Sequence, residues 1–153
     1  MTHPSEGQAK YPGGRAWSDF RLRRHSDYQR VYAGSRKQFS ASMTYFVAPQ
    51  PDAAEDAPAR VGLTAGRVLG KAVERNRIKR RMREAVRRHL EALPPGVDVV
   101  LHPRKSVTTM DFGVLDAEVG TLFARIAERI VKQRAERELA GAAPRDAAEG
   151  AGL

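Results

Sequence analysis

The sequence predicts an α+β fold, and three observations carry the prediction. Apolar residues recur at helical spacing in three separate segments. β-Branched and aromatic runs too short to be helices lie between them, and a Pro-Pro-Gly stop ends the second helical segment. In chain order the elements read helix, strands, basic helix, strand, helix.

Residues 1 to 17 hold Pro4, Gly7, Pro12, Gly13 and Gly14 with little apolar periodicity, which predicts a disordered leader with Trp17 placed to fold back onto the domain. From Leu22, LRRHSDYQRVYAG sets Leu22, Tyr28, Val31 and Tyr32 at helical spacing, with Ser26 or Asp27 as the cap and Gly34 as the stop. Met43 to Val47 (MTYFV) has strand composition, Pro49 to Ala59 reads as a loop, and Val61 to Ala65 as a second strand. A long amphipathic helix is expected from Glu74 to Leu93, stopped by Pro94, Pro95 and Gly96. Val97 to Leu101 reads as a buried strand and Pro103 to Asp111 as a basic loop. Val114 to Gln133 reads as a last helix carrying Leu115, Val119, Leu122, Phe123, Ile126 and Ile130. The division is therefore a leader (1–17), one domain (18–133) and an Ala/Gly-rich disordered tail (134–153), helical at most transiently near its start.

The chain has 153 residues, a single domain with tails, and a formal charge of +9. It has no cysteine, which excludes disulfides, thiolate metal sites and thiol catalysis. No secretory apolar run and no membrane-length apolar stretch is present, so a cytoplasmic protein with no membrane partner is expected. The charge is concentrated: between Arg67 and Arg88 ten basic residues stand against Glu74 and Glu84, a net +8, leaving the other 131 residues near +1. A localised cationic footprint is what a nucleic-acid site requires. Wound as a helix, this segment puts Ile78, Met82, Ala85 and Leu93 on the core side, with Val86 at the edge. Asn76, Arg80, Arg83 and Arg87 then share the opposite ridge, spaced to meet successive phosphates, with Arg77 and Lys79 flanking it. Arg75 belongs at the N-terminal turn. A charge run on a helix is often only a solvated face, but so many like charges with two acids to relieve them repel one another until counter-charge arrives.

Other chemistry is absent. GRVLGKA (Gly66 to Ala72) fails as a triphosphate loop, having Ala65 and Ala72 where Gly and Ser or Thr are needed. His3, His25, His89 and His102 show no metal-ligand spacing and read as surface or packing residues. No catalytic residue and no metal site is expected in the protein.

The stretch VGLTAGRVLGKAVERNRIKRRMREA, Val61 to Ala85, resembles the bacterial ribonuclease P protein component, whose hallmark is Arg-Asn-Arg followed by Lys-Arg and a further Arg on a helix. Arg75, Asn76, Arg77, Lys79, Arg80 and Arg83 match it residue by residue. LRRHSDYQRVY is similar to that family's first helix, with Tyr28 and Tyr32 where Phe is usual. Phe46 matches the aromatic of the next strand, and DVVLHPR (Asp98 to Arg104) the strand that ends in Arg. The resemblance covers about Leu22 to Ile130. Where the family carries Ser-Lys-Lys, this chain has Gly66, Arg67 and Val68, leaving Arg67 and Lys71 to supply the charge.

The resemblance implies an α-β sandwich, a four-stranded sheet with three helices and a left-handed βαβ crossover. It implies a subunit of a ribonucleoprotein endonuclease that removes the 5′ leader from precursor tRNA, the RNA subunit doing the chemistry with magnesium. It further implies that Arg67, Lys71, Arg75, Asn76, Arg77, Lys79, Arg80, Arg83 and Arg87 bind the ribonuclease P RNA, and that Tyr28, Tyr32 and Phe46 bind the single-stranded leader. The alternative is a basic-helix nucleic-acid-binding or ribosome-associated module with no processing role. It accounts for the charge but not for the aromatics in family register.

Overall fold

The computed structural model describes residues 17–51 and 57–142. Three helices and four strands form the body: α1 (His25–Gly34), β1 (Gln38–Phe39), β2 (Met43–Pro49), β3 (Arg60–Leu63), α2 (Ala72–His89), β4 (Val97–Pro103) and α3 (Phe112–Ala142). The sheet runs β1-β2-β4-β3, with β2 antiparallel to β4 and β3 parallel to it. Thus α2 is the crossover between two parallel neighbours, the βαβ unit of an α+β sandwich.

Pleating divides the sheet residues between two layers. Met43, Tyr45, Val61, Val97, Val99 and Leu101 join Ile78, Met82, Ala85 and Val86 of α2 and Leu115, Val119, Phe123 and Ile126 of α3 in the main core. On the opposite face, Ala48 and Val100 meet Leu22 and Val31 beneath α1, with Tyr28, Tyr32 and Phe46 packed at the margin. The sheet therefore stands between α1 on one side and α2 with α3 on the other.

The stripe read from α2 is buried as expected; Leu93 is buried too, but just past a 3₁₀ turn (Leu90–Ala92) that follows the helix. The helix starts two residues before the expected Glu74, and the Glu74 carboxylate accepts the Lys71 backbone N–H at 3.3 Å. Three other expectations are corrected, and one strand is added. Neither Ser26 nor Asp27 caps α1, which follows Arg24; Asp27 lies in the first turn and faces Arg30 and Arg60 at 3.7 and 3.8 Å. The second strand runs Arg60–Leu63, because Arg67–Leu69 turns as a 3₁₀ segment closed by Gly70 at φ 121°. β1 is a two-residue strand that the residues alone did not show. Finally, α3 continues to Ala142, so 134–142 is helix rather than disordered tail. RAERELAGA consists largely of strong helix formers, and Arg134 ties the turn to the Pro95 carbonyl at 2.8 Å.

Trp17 opens a one-turn helix (Trp17–Phe20) and packs on the main core. The rest of the expected leader, the centre of the 49–59 loop and the chain from residue 143 lie outside the described residues.

Candidate nucleic-acid interface

Two surfaces collect the residues singled out in the sequence, one on each side of the sheet. The first is the outer face of α2. With Ile78, Met82, Ala85 and Val86 buried, the 3.6-residue period turns Asn76, Arg77, Arg80 and Arg83 to solvent. Arg67 and Lys71 are exposed just before the helix, beside Val68 at 89% exposure. Val68 therefore occupies an open position with no packing role to explain its apolar side chain.

Not every predicted cation is equally presented. Arg75 and Lys79 are half-buried, and the Arg75 Nε is buried without a partner. Arg87, expected on the open ridge, is half-buried and clamps Glu84 with Nε–Oε1 at 3.0 Å and Nη2–Oε2 at 2.6 Å. Arg88 adds a third bond to the same carboxylate at 3.0 Å. The Arg87 hydrogen bond, with Arg88 behind it, holds the Glu84 carboxyl below its usual range. Glu84, one of the two acids in the basic segment, is thus neutralised locally, and Arg77, Arg80 and Arg83 carry the open charge, with Asn76 a neutral polar group beside them.

The second surface is the margin of α1 over the sheet. Register puts Phe46 opposite Val100 and Thr44 opposite His102 on β2 and β4, and Gly62 opposite Val100 on β3. Gly62 leaves a seat that Tyr28 fills: a Cβ there would lie 2.7 Å from the Tyr28 ring. The Tyr28 hydroxyl donates to the Leu22 carbonyl at 3.3 Å. Tyr32 meets Phe46 edge-on at 4.9 Å between centroids and Tyr28 at 6.5 Å. The structure therefore brings Tyr28, Tyr32 and Phe46 into one half-exposed aromatic cluster.

His102 completes that cluster; the sequence read it as a surface or packing residue and did not place it with the aromatics. Its Nε2 lies 2.8 Å from the Tyr32 hydroxyl, and its ring is 5.5 Å from Tyr32 and 5.4 Å from Phe46. Burial, helped by the charge of Lys37, pushes its pKa below the ordinary value and favours the neutral ring. The signal was its position in DVVLHPR, one strand period beyond Val100, on the face opposite Leu101. Burial likewise raises the pKa of Tyr28 and Tyr32, keeping both hydroxyls protonated.

At the end of this surface Asp98 is fully buried and accepts two bonds from Arg60, at 2.8 and 2.7 Å, and another from Arg30 of α1. That network fastens α1 to β3 and β4. Among the described residues no group of three or more acidic or histidine side chains could hold a metal ion, and no helix is long and apolar enough to cross a membrane.

A cationic helix on one side of a sheet and an aromatic margin on the other define a basic α+β RNA-binding protein. The family model described as Ribonuclease P matches residues 18–127. The ribonuclease P protein component of Symbiobacterium thermophilum is 40% identical over 106 residues, covering 69% of this chain and 90% of that one. That of Chloroflexus aggregans is 42% identical over 100 residues, covering 65% and 71%. Among solved structures, the ribonuclease P protein from Thermotoga maritima matches with a TM-score of 0.60 at 27% identity, over 69% of this chain and 96% of that one. The chain belongs to the ribonuclease P protein component family, the protein subunit of the ribonucleoprotein that processes the 5′ end of tRNA.

Proposed function

We propose that this chain acts in the cytoplasm as the subunit that grips two RNAs at once, the ribonuclease P RNA on α2 and the precursor tRNA leader on the α1 margin. The separation of the two surfaces by the sheet is the observation that carries this reading.

Asn76, Arg77, Arg80 and Arg83, with Arg67 and Lys71 before the helix, meet consecutive phosphates of the catalytic RNA. Arg75, Lys79 and Arg87, being half-buried or paired, support that face more than they reach from it. Asn76 adds a neutral donor and acceptor for a ribose hydroxyl or base edge. Tyr28, Tyr32 and Phe46 stack against unpaired leader bases without demanding a sequence.

The RNA subunit carries out phosphodiester cleavage, with magnesium bound on its side. The described residues offer no carboxylate cluster fit for that ion. What the protein contributes is fixed positive charge beside crowded phosphates, which lowers the magnesium concentration the complex needs.

The experiment is 5′-leader cleavage of a precursor tRNA by a bacterial ribonuclease P RNA at low magnesium, with and without this chain. Faster cleavage at the mature 5′ end is expected. Binding of both RNAs without stimulation, repeated with a closely matched RNA, would contradict the reading.

A further inference from the structure

Where α2 meets the start of α3, the surface sinks into a groove of about 440 Å³ lined by Arg77, Arg80, Arg81, Glu84, Arg88 and Phe112. Clefts that take small ligands span about 300–1,000 Å³, so one nucleotide is a reasonable occupant by size. Four guanidiniums face a single carboxylate, and Glu84 is already bonded to Arg87 and Arg88.

The four arginines differ in freedom. Arg81 is fixed, its Nη2 donating to the Met110 carbonyl, with its guanidinium carbon 5.9 Å from the centre of the Phe112 ring. Arg88 lies closer to that ring, at 5.1 Å, yet its side chain is 49% exposed, bonded to Glu84 at 3.0 Å and facing Asp116 at 3.9 Å. Arg77 and Arg80 are exposed. A half-buried ring is thus covered by a planar cation that can swing away, beside two free cations.

We propose that this groove holds one unpaired nucleotide of the ribonuclease P RNA, its base stacked on Phe112 in the place that Arg88 now covers and its phosphates on Arg77 and Arg80. The proposal rests on the reading of α2 as the surface for that RNA. Unpaired bases are characteristically stacked on aromatic rings or guanidinium planes, and here both lie in one groove. Arg88, once displaced, retains a stacking role on the outer face of the base. Four guanidiniums face one carboxylate that is already paired, and this uncompensated positive charge beside an aromatic ring is met by the phosphate and base that every nucleotide carries together, which favours RNA over a protein partner. The groove shares Arg77 and Arg80 with the open face of α2, whereas the aromatic margin lies across the sheet, so the nucleotide comes from the RNA subunit and not from the leader.

The test is titration of the full chain with a bacterial ribonuclease P RNA, without tRNA, at two salt concentrations. Phe112→Leu keeps an apolar side chain against the core that Phe112 touches but removes the flat ring; Phe112→Tyr keeps the ring. Phe112→Leu is expected to weaken binding about fivefold to thirtyfold at both salts, with no change of salt slope, while Phe112→Tyr binds like the parent. Equal binding by Phe112→Leu and the parent overturns the proposal, as do equal losses in both variants, which mark a packing role. A loss that appears only when the titration is repeated with precursor tRNA present assigns the nucleotide to the substrate and also overturns it. Failure of the parent chain to bind the RNA removes the reading of α2 itself, and is recognised without any variant.

Discussion

Asp98 has no exposed surface and satisfies parts of two guanidiniums, so its role is read most clearly from what its removal leaves behind. The Arg60 hydrogen bond raises the guanidinium pKa, the sign expected of a bond to the charged form. In Asp98→Ala, Arg30 and Arg60 lose that partner, but both side chains are nearly a third exposed and can turn to water. A loss of about 1–3 kcal/mol in urea denaturation is expected, below the cost of orphaning a fully buried charge. His102 gives a second residue-scale prediction. Its pKa in the fold lies below the ordinary 6.5, so as pH falls through 6.5 the unfolded chain takes up the proton first and the folded state loses stability. The loss stops growing once His102 itself protonates. His102→Phe, which keeps a ring beside Tyr32 and Phe46, is expected to lose less stability than the parent between pH 7 and pH 5. Equal losses would mean that His102 has the same pKa in the folded and the unfolded chain.

At the scale of elements, α1 is held on the sheet by Leu22 and Val31 beneath it, by Arg30 on Asp98, and by Tyr28 seated on Gly62. Gly62→Ala drives a methyl group into the Tyr28 ring and leaves α2, on the other face, with its packing intact. The expected outcome is about tenfold weaker binding of leader-bearing tRNA by the holoenzyme, the scale of one stacked base, with unchanged affinity for the RNA subunit. This seat also marks where sequence reading ends. The stripe of Ile78, Met82, Ala85 and Val86 was legible because one helix carries its own period. The pairing of Gly62 with Val100, and of Thr44 with His102, depends on register between strands tens of residues apart, which no local spacing records. A two-residue β1 has no alternation to read, and residues 134–142 are helical on propensity, without the apolar stripe that defined the rest of α3. The clamp of Arg87 on Glu84 was within reach, since i,i+3 pairs are legible in a helix, but the ridge pattern took precedence over it.

For the whole molecule, the sheet keeps a cationic surface and an aromatic surface apart, so each can be weakened without the other. The cationic side works through phosphates and is therefore salt-dependent; the aromatic side works through stacking and is much less so. The most direct measurement is a paired titration of Arg80→Ala/Arg83→Ala and of Tyr32→Ala, each against ribonuclease P RNA over a salt series. Each reconstituted holoenzyme is then titrated against precursor tRNA with and without its leader. The double variant is predicted to bind the RNA subunit more weakly and to reduce its salt slope by about two, one for each phosphate that no longer meets a guanidinium. Tyr32→Ala is predicted to leave that slope alone and to weaken leader-bearing tRNA by about 1–3 kcal/mol while sparing tRNA without a leader. Equal effects of both variants on leaderless tRNA would contradict the division of labour between the two faces of the sheet.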